Sequence, residues 1–312
     1  MSSTLQANTR FTPQGITKNW TDIHFTSRDG LRLYGRHYPA PGSKRRPLLC
    51  LAGLTRNGRD FHDLATVLSD PRGHRRDVYT LDSRGRGRSE YALDPKTYSV
   101  GAELADALDF MTLNSLHDTA IIGTSRGGIL AMLMATQRPA AMGAVILNDI
   151  GPVIEREGLA RIIAYVGRIP VPASWPEATD LVRSMSERAF PSIPELAWES
   201  IARQWFNEAD GRPAPGYDPR LHEALVLGEG PLPDIWPQFM ALKNIPVMAI
   251  RGATSDLVSA ATLQEMQRRH PQLEPLTIAG EGHAPMLKDV QSIGAVYDFL
   301  MRTDKVEKLQ TV

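Results

Sequence analysis

A serine flanked by glycines has the surroundings that most directly indicate chemistry in this chain. Residues 123–128 read G-T-S-R-G-G, and Gly123, Ser125 and Gly127 form a G-x-S-x-G pattern between an apolar run and a segment of helical period. Glycine destabilises strands and helices, so glycines on both sides of a serine predict a turn too tight for larger side chains. Such a strand-to-helix turn would present the Ser125 hydroxyl at a helix N-terminus, where developing negative charge is stabilised. Ser125 is therefore the candidate nucleophile.

A serine hydroxyl becomes a good nucleophile only when a base accepts its proton. Among the eight histidines, His283 lies in the glycine-rich segment A-G-E-G-H-A-P, just after the last apolar run. That position is the carboxyl end of a predicted strand, where open parallel sheets bind their ligands. His24 and His37 belong to a predicted hairpin, and the other five lie in helical, loop or inserted sequence. We therefore predict that His283 is the general base.

The base needs a carboxylate that fixes its tautomer and stabilises the imidazolium. Two aspartates follow predicted strands: Asp256 in the segment R-G-A-T-S-D-L, and Asp149 in I-L-N-D-I-G-P. Asp256 gives the chain order serine, aspartate, histidine with the acid late in the chain. We predict Asp256 for this role and leave Asp149 as the alternative; the other interpretation of Asp149 is that it organises the entrance to the inserted segment through the adjoining Gly151–Pro152 turn.

Acyl transfer also needs donors for the oxyanion of the tetrahedral intermediate. One predicted donor is the backbone amide of Arg126, which directly follows the nucleophile. The second is expected from the loop after the first apolar run, L-A-G-L-T-R-N, where Gly53–Leu54 is the predicted turn and the Leu54 amide the donor.

Short elements must hold these residues in place. The segment from Trp20 to Tyr38 alternates apolar and polar residues around Asp29–Gly30, which predicts an antiparallel hairpin. Continuous apolar runs such as T-A-I-I-G and G-A-V-I-L-N then alternate with segments of helical period. Such runs are typical of strands buried on both faces. The predicted fold class is α/β, a mostly parallel, doubly wound sheet with an N-terminal antiparallel hairpin.

Residues 151–240 interrupt this alternation with short helical patterns. They hold four of the five tryptophans and contain no clear buried-strand run. We predict a helical cap inserted between two sheet strands, a core formed by residues 20–150 and 241–302, and polar tails at 1–19 and 303–312.

Composition argues against several classes of main partner. The 312 residues carry 35 basic and 35 acidic side chains, a balance that argues against a nucleic acid or an acidic membrane surface as the main partner. The single cysteine, Cys50, forms no intrachain disulfide and lies within an apolar run, which indicates a core residue in a reducing compartment. The first residues lack the apolar stretch of a secretory signal, and the expected location is the cytoplasm. No cluster of metal ligands is evident, and no metal or cofactor is expected.

With these motifs in order, the chain resembles the α/β-hydrolase fold family over nearly its whole length. The matching features are the L-A-G-L-T-R-N loop, D-S-R-G-R-G-R-S at 82–89, the G-T-S-R-G-G turn, and the late Asp256 and G-E-G-H-A-P loops. The resemblance implies a Ser-His-Asp triad, an inserted helical cap, and a structural role for the 82–89 loop in supporting the serine turn. Many members carry His-Gly in the first loop, whereas this chain has Ala52–Gly53.

A serine at the turn disfavours the attack on an sp³ carbon that epoxide hydrolases and haloalkane dehalogenases perform through a carboxylate. It favours attack on a carbonyl, so we predict hydrolysis of a carboxylic ester or lactone of a small, largely apolar substrate through an acyl-enzyme. Carbon–carbon bond hydrolysis and cofactor-free perhydrolysis on the same triad are alternatives. A ligand receptor with slow or no turnover is the alternative outside the enzyme class.

The predicted substrate pocket combines one basic and four aromatic residues, namely Arg56, Trp205, Phe206, Trp236 and Phe239. Arg56 and Arg126 lie beside the predicted oxyanion loop and turn, where either could attract an anionic substrate. The simpler interpretation of Arg126 is a solvated side chain in the first turn of a helix.

Overall fold

The computed structural model describes residues 18–225 and 232–304. The predicted polar tails therefore lie almost wholly outside the described residues. The elements, in chain order, are β1 (Thr21–Thr26), β2 (Arg32–Tyr38), β3 (Leu48–Leu51), α1 (His62–Ser69), β4 (Val78–Asp82), α2 (Val100–Leu113), β5 (Thr119–Thr124), α3 (Arg126–Gln137), β6 (Met142–Asn148), α4 (Arg156–Tyr165), α5 (Trp175–Ser186), α6 (Trp198–Trp205), β7 (Asn207–Ala209), β8 (Arg212–Ala214), α7 (Trp236–Met240), β9 (Val247–Gly252), α8 (Ala260–Arg269), β10 (Leu273–Ile278) and α9 (Val290–Thr303).

Eight of these strands form one sheet in the order β1-β2-β4-β3-β5-β6-β9-β10. Strands β1 and β2 pair antiparallel, as do β2 and β4, and every later pairing in the sheet is parallel. The predicted fold class is confirmed, including the N-terminal hairpin. In a parallel sheet the carboxyl ends of neighbouring strands lie at one edge, and the loops that follow β5, β6, β9 and β10 meet there.

Apolar side chains cover both faces of the sheet. Ile121 of β5 contributes to one core cluster and the next residue, Ile122, to the other, as the two-residue period of a strand requires. Helices α2, α3 and α8 supply the first cluster, and α1 and α9 supply the second. Cys50 of β3 lies in the second cluster, where burial raises the pKa of its thiol well above the usual value.

The predicted insertion, residues 151–240, runs between β6 and β9 and contains α4 to α7. Helices α5 and α6 share a small apolar cluster of their own, which includes Val182, Trp198 and Ile201. The short antiparallel pair β7–β8 was not expected from the sequence. The last helix of the insertion, α7, instead places Phe239 in the main core beside α3. The division into core and cap stays a prediction.

Candidate functional site

The turn that carries Ser125 joins β5 directly to α3. Ser125 has φ 50° and ψ −114°, a left-handed conformation that side chains other than glycine seldom adopt. The flanking positions must be glycine because the neighbouring backbone leaves no room for a side chain there. A Cβ added at Gly123 would lie 2.4 Å from the carbonyl oxygen of Gly127, and one at Gly127 would lie 2.1 Å from that of Leu51. Strand and helix therefore pack backbone against backbone, and the serine projects beyond the sheet edge.

Ser125, His283 and Asp149 form a continuous hydrogen-bonded line. The Nε2 atom of His283 lies 3.0 Å from Ser125 Oγ, and its Nδ1 atom lies 2.7 Å from Asp149 Oδ2. The side chain of Asp149 is 0% exposed and that of His283 8% exposed. This geometry suits proton transfer from the serine to an imidazole whose other nitrogen is held by a carboxylate.

The structure corrects the choice of Asp256 as the acid beside His283. Asp149 directly follows Asn148, the last residue of β6, and accepts hydrogen bonds from the Gly252 amide at 2.9 Å and Ser255 Oγ at 2.6 Å. Asp256 instead forms a bidentate ion pair with Arg161 of α4, at 2.5 and 2.8 Å. That pair is largely open to solvent, with side chains 40% and 48% exposed.

Asp256 nevertheless lies close enough to His283 for the two side chains to interact electrostatically. A hydrogen bond from Arg161 and, to a smaller extent, the charge of His283 lower the pKa of Asp256. Arg161 was not singled out from the sequence, because its partner lies 95 positions away in the chain. No pattern within α4 indicates that contact.

The first predicted oxyanion loop lies beside the serine. A Cβ added at Gly53 would lie 3.8 Å from Ser125 Cβ, and Gly53 and Leu54 line the same cavity as Ser125. Arg86 of the 82–89 loop donates from Nε to the Leu54 carbonyl at 2.8 Å. The roles of the Leu54 and Arg126 amides as oxyanion donors stay predictions.

A buried carboxylate connects the 82–89 loop to the serine turn. Glu103 of α2 forms ion pairs with Arg86 and Arg126, both at 2.8 Å. Burial alone would raise the pKa of Glu103, but the charges of these two guanidinium groups outweigh burial and lower it. The Arg126 side chain is therefore not a solvated first-turn residue, since it also donates to the Tyr98 carbonyl. The 82–89 loop thus contacts the oxyanion loop directly and the serine turn through Glu103.

A cavity of about 480 Å³ opens on Ser125 and His283. Two of the five predicted pocket residues line it, Arg56 and Trp205. The Arg56 guanidinium lies 4.4 Å from the Trp205 ring centroid and pairs with Asp60 at 2.5 and 2.9 Å. Further walls come from the apolar residues Leu54, Phe61, Ile162, Tyr165, Met185, Phe190, Ile201, Met286 and Leu287.

The other three predicted pocket residues do not line this cavity. Phe206 lies in the apolar cluster of α5 and α6. Phe239 is fully buried in the main core, and the Trp236 ring packs edge-on against it at 5.6 Å while Arg269 lies over its face at 3.9 Å. Trp236 and Phe239 lie there because α7 packs beside α3, which composition does not indicate.

Within residues 18–225 and 232–304, no group of three or more His, Cys, Asp or Glu side chains could hold a metal ion. No helix in the same ranges combines the length and apolar character needed to cross a membrane.

The sequence of this chain is similar to those of known proteins. A family model described as the alpha/beta hydrolase family matches residues 48–293. The 3-hydroxybutyrate-oligomer hydrolase of Cupriavidus necator is 31% identical over 295 residues, which cover 89% of this chain and 96% of the relative. The 2-(acetamidomethylene)succinate hydrolase of Mesorhizobium japonicum is 28% identical over 239 residues, covering 76% and 81% of the two chains.

A solved structure extends the comparison. The crystal structure of an alpha/beta hydrolase from Novosphingobium aromaticivorans is 39% identical, has a TM-score of 0.84, and covers 92% of this chain and 99% of its own. The likeness therefore extends over most of this chain.

Proposed function

The chain belongs to the α/β-hydrolase family and is a hydrolase; from that premise, we propose that it cleaves carboxylic esters through an acyl-enzyme formed on Ser125. The observation that carries this proposal is the unbroken line from Asp149 through His283 to Ser125 at one wall of the cavity. A serine with its hydroxyl on an imidazole nitrogen attacks carbonyl carbon, which is the reacting atom of esters and lactones.

The proposed reaction has two half-reactions. Ser125 Oγ attacks the ester carbonyl while His283 Nε2 accepts the hydroxyl proton, and Asp149 stabilises the resulting imidazolium. The oxyanion is bound by the Leu54 and Arg126 amides. As the carbon–oxygen bond to the alcohol breaks, His283 returns the proton to the leaving alcohol. Water then repeats the sequence on the acyl-enzyme, releasing the carboxylic acid and restoring Ser125.

The apolar walls support a substrate with an aliphatic or aromatic part. The Cupriavidus relative is named for 3-hydroxybutyrate oligomers, which are linear esters, and oligomers of this kind are a natural first substrate to test. Carbon–carbon hydrolysis and perhydrolysis would use the same triad and stay alternatives. The receptor alternative is dropped, because the relatives described above are named as hydrolases.

The test is hydrolysis of p-nitrophenyl esters from acetate to decanoate by the wild type and by Ser125→Ala. We expect turnover by the wild type and a loss of at least about 10³-fold in the variant. Ser184→Ala is the matched control, because Ser184 is exposed on α5 and its hydroxyl donates to the Leu181 carbonyl of the same helix. Equal rates for wild type and Ser125→Ala, or no turnover of any ester by the wild type, would refute the proposal.

A further inference from the structure

Four cationic side chains line the cavity, and three of them already have a carboxylate partner. Arg56 pairs with Asp60, Arg161 with Asp256, and Lys288 with Asp63, at N–O distances of 2.5 to 2.9 Å. Arg188 is the fourth. Within the part of the chain that the structure describes, no acidic side chain lies within ion-pair distance of it. Its guanidinium is therefore free to bind an anion that enters the cavity.

The backbone around Arg188 is well fixed. It follows α5 by two residues, and the amides of Ala189 and Phe190 both bond the Ser186 carbonyl, at 2.9 and 3.0 Å. Phe190 is buried in the apolar cluster of α5 and α6, whereas Arg188 itself is exposed. A hydrogen-bonded backbone that carries an exposed, charged side chain is suited to binding a ligand group from one side.

The same segment lies against the loop of the candidate base. A Cβ added at Gly282 would lie 2.9 Å from Ala189 Cβ, so the residue after Arg188 packs against the residue before His283. Met185 and Phe190 continue this wall as apolar lining. A substrate whose carbonyl sits at Ser125 and whose chain follows that wall would bring its far end to Arg188.

We propose that Arg188 binds a carboxylate at the end of the substrate, so that the preferred esters carry a free acid group as well as the scissile ester. This inference rests on the proposed function and specifies its substrate class. Carboxylate is the expected anion because guanidinium binds it through two parallel N–H donors. Arg56 and Arg161, in the same cavity, each bind a carboxylate in this manner through Nε and Nη2.

The experiment compares two esters of equal chain length, p-nitrophenyl hexanoate and the mono-p-nitrophenyl ester of adipic acid. We expect wild type to prefer the adipate ester, and Arg188→Gln to lose about 5- to 20-fold in kcat/KM on that ester alone, mainly through KM. Arg188→Lys should retain part of the preference. Sodium chloride should weaken it, since exposed charges are screened.

Arg183→Gln is the matched control. Arg183 lies on α5, five residues before Arg188, pairs with Asp180 and Glu195, and is not among the residues that line the cavity. Arg183→Gln should change the hydrolysis rate of neither the hexanoate ester nor the adipate ester. Arg188→Glu should reverse the preference, favouring the p-nitrophenyl ester of 6-aminohexanoic acid over the adipate ester. Equal effects of Arg188→Gln on both esters, or none on either, would overturn the inference while leaving ester hydrolysis intact.

Failure of the proposed function has a different signature. If the wild type hydrolyses neither ester, the acyl-enzyme proposal fails, and binding of free adipate to Ser125→Ala then tests Arg188 separately by calorimetry. A weaker Kd in Ser125→Ala/Arg188→Gln supports the carboxylate site. An unchanged Kd, or no binding to either protein, overturns it.

Discussion

Replacing Asp149 by asparagine should disable His283 without disturbing the fold around it. The carboxylate accepts three hydrogen bonds, from His283 Nδ1, Ser255 Oγ and the Gly252 amide. An amide of the same shape has only one oxygen, so its NH₂ group would face the imidazole. Because Nδ1 must then accept, the proton moves to Nε2, and that nitrogen can no longer take a proton from Ser125.

The expected loss is about 10⁴-fold in kcat, the cost of the wrong tautomer in a triad of this geometry. That factor corresponds to about 5 kcal/mol in the activation barrier. The measurement is steady-state hydrolysis of a neutral p-nitrophenyl ester, with thermal unfolding followed by circular dichroism to confirm that the variant is folded.

Asp256→Asn is the matched control, because it makes the same chemical change at the acid that the sequence favours. The ion pair of Asp256 with Arg161 is largely exposed, so its loss should cost no more than a few-fold in kcat. The reverse result, a thousand-fold loss in Asp256→Asn and a small loss in Asp149→Asn, would refute the orientation of His283 by Asp149.

Three further predictions concern two buried carboxylates and the packing at two glycines. Glu103→Gln leaves the Arg86 and Arg126 guanidinium groups without their shared charge, and we expect urea unfolding to show a loss of about 3–5 kcal/mol, with kcat lowered more than KM in the folded fraction. Burial raises the pKa of Glu281, so the wild type loses stability as pH rises from the usual glutamate pKa through the raised one. Glu281→Gln can still accept from the Met286 amide, and its advantage in Tm should grow as pH rises above about 4, the usual glutamate pKa. A Tm difference that stays constant with pH would contradict the burial argument. Gly294→Ala in α9 has open space for its Cβ and should add about 0.5–1 kcal/mol to the unfolding free energy. Gly127→Ala is the contrasting variant, and its Cβ clash should greatly reduce the yield of soluble protein. If the two variants behave alike, packing at the serine turn is looser than described.

The sheet could be predicted from the sequence because its signal is local. The run T-A-I-I-G sends successive side chains to opposite faces, and both faces of β5 are apolar, so buried-strand character is visible without knowledge of any partner. The helical insertion was equally visible as a change of period. Its aromatic residues could not be assigned to cavity or core from the sequence, because what distinguishes Trp205 from Phe239 is the set of distant residues that pack against each. One lines the cavity and the other fills the core.

The acid beside His283 depended on a quantity that sequence patterns do not contain, the distance of each aspartate from the end of its strand. Strands β5 and β6 are paired so that Thr124 lies opposite Asn148, and the next residues in each strand, Ser125 and Asp149, therefore leave the sheet side by side. Asp256 lies four residues beyond the end of β9, far enough for the loop to turn it toward Arg161. Burial then distinguishes the two carboxylates, because a fully buried carboxylate is costly unless hydrogen-bond donors compensate for its lost hydration. Asp149 meets that condition through three donors, one of which is the imidazole, and the bonds that make its burial tolerable are the same ones that orient the base.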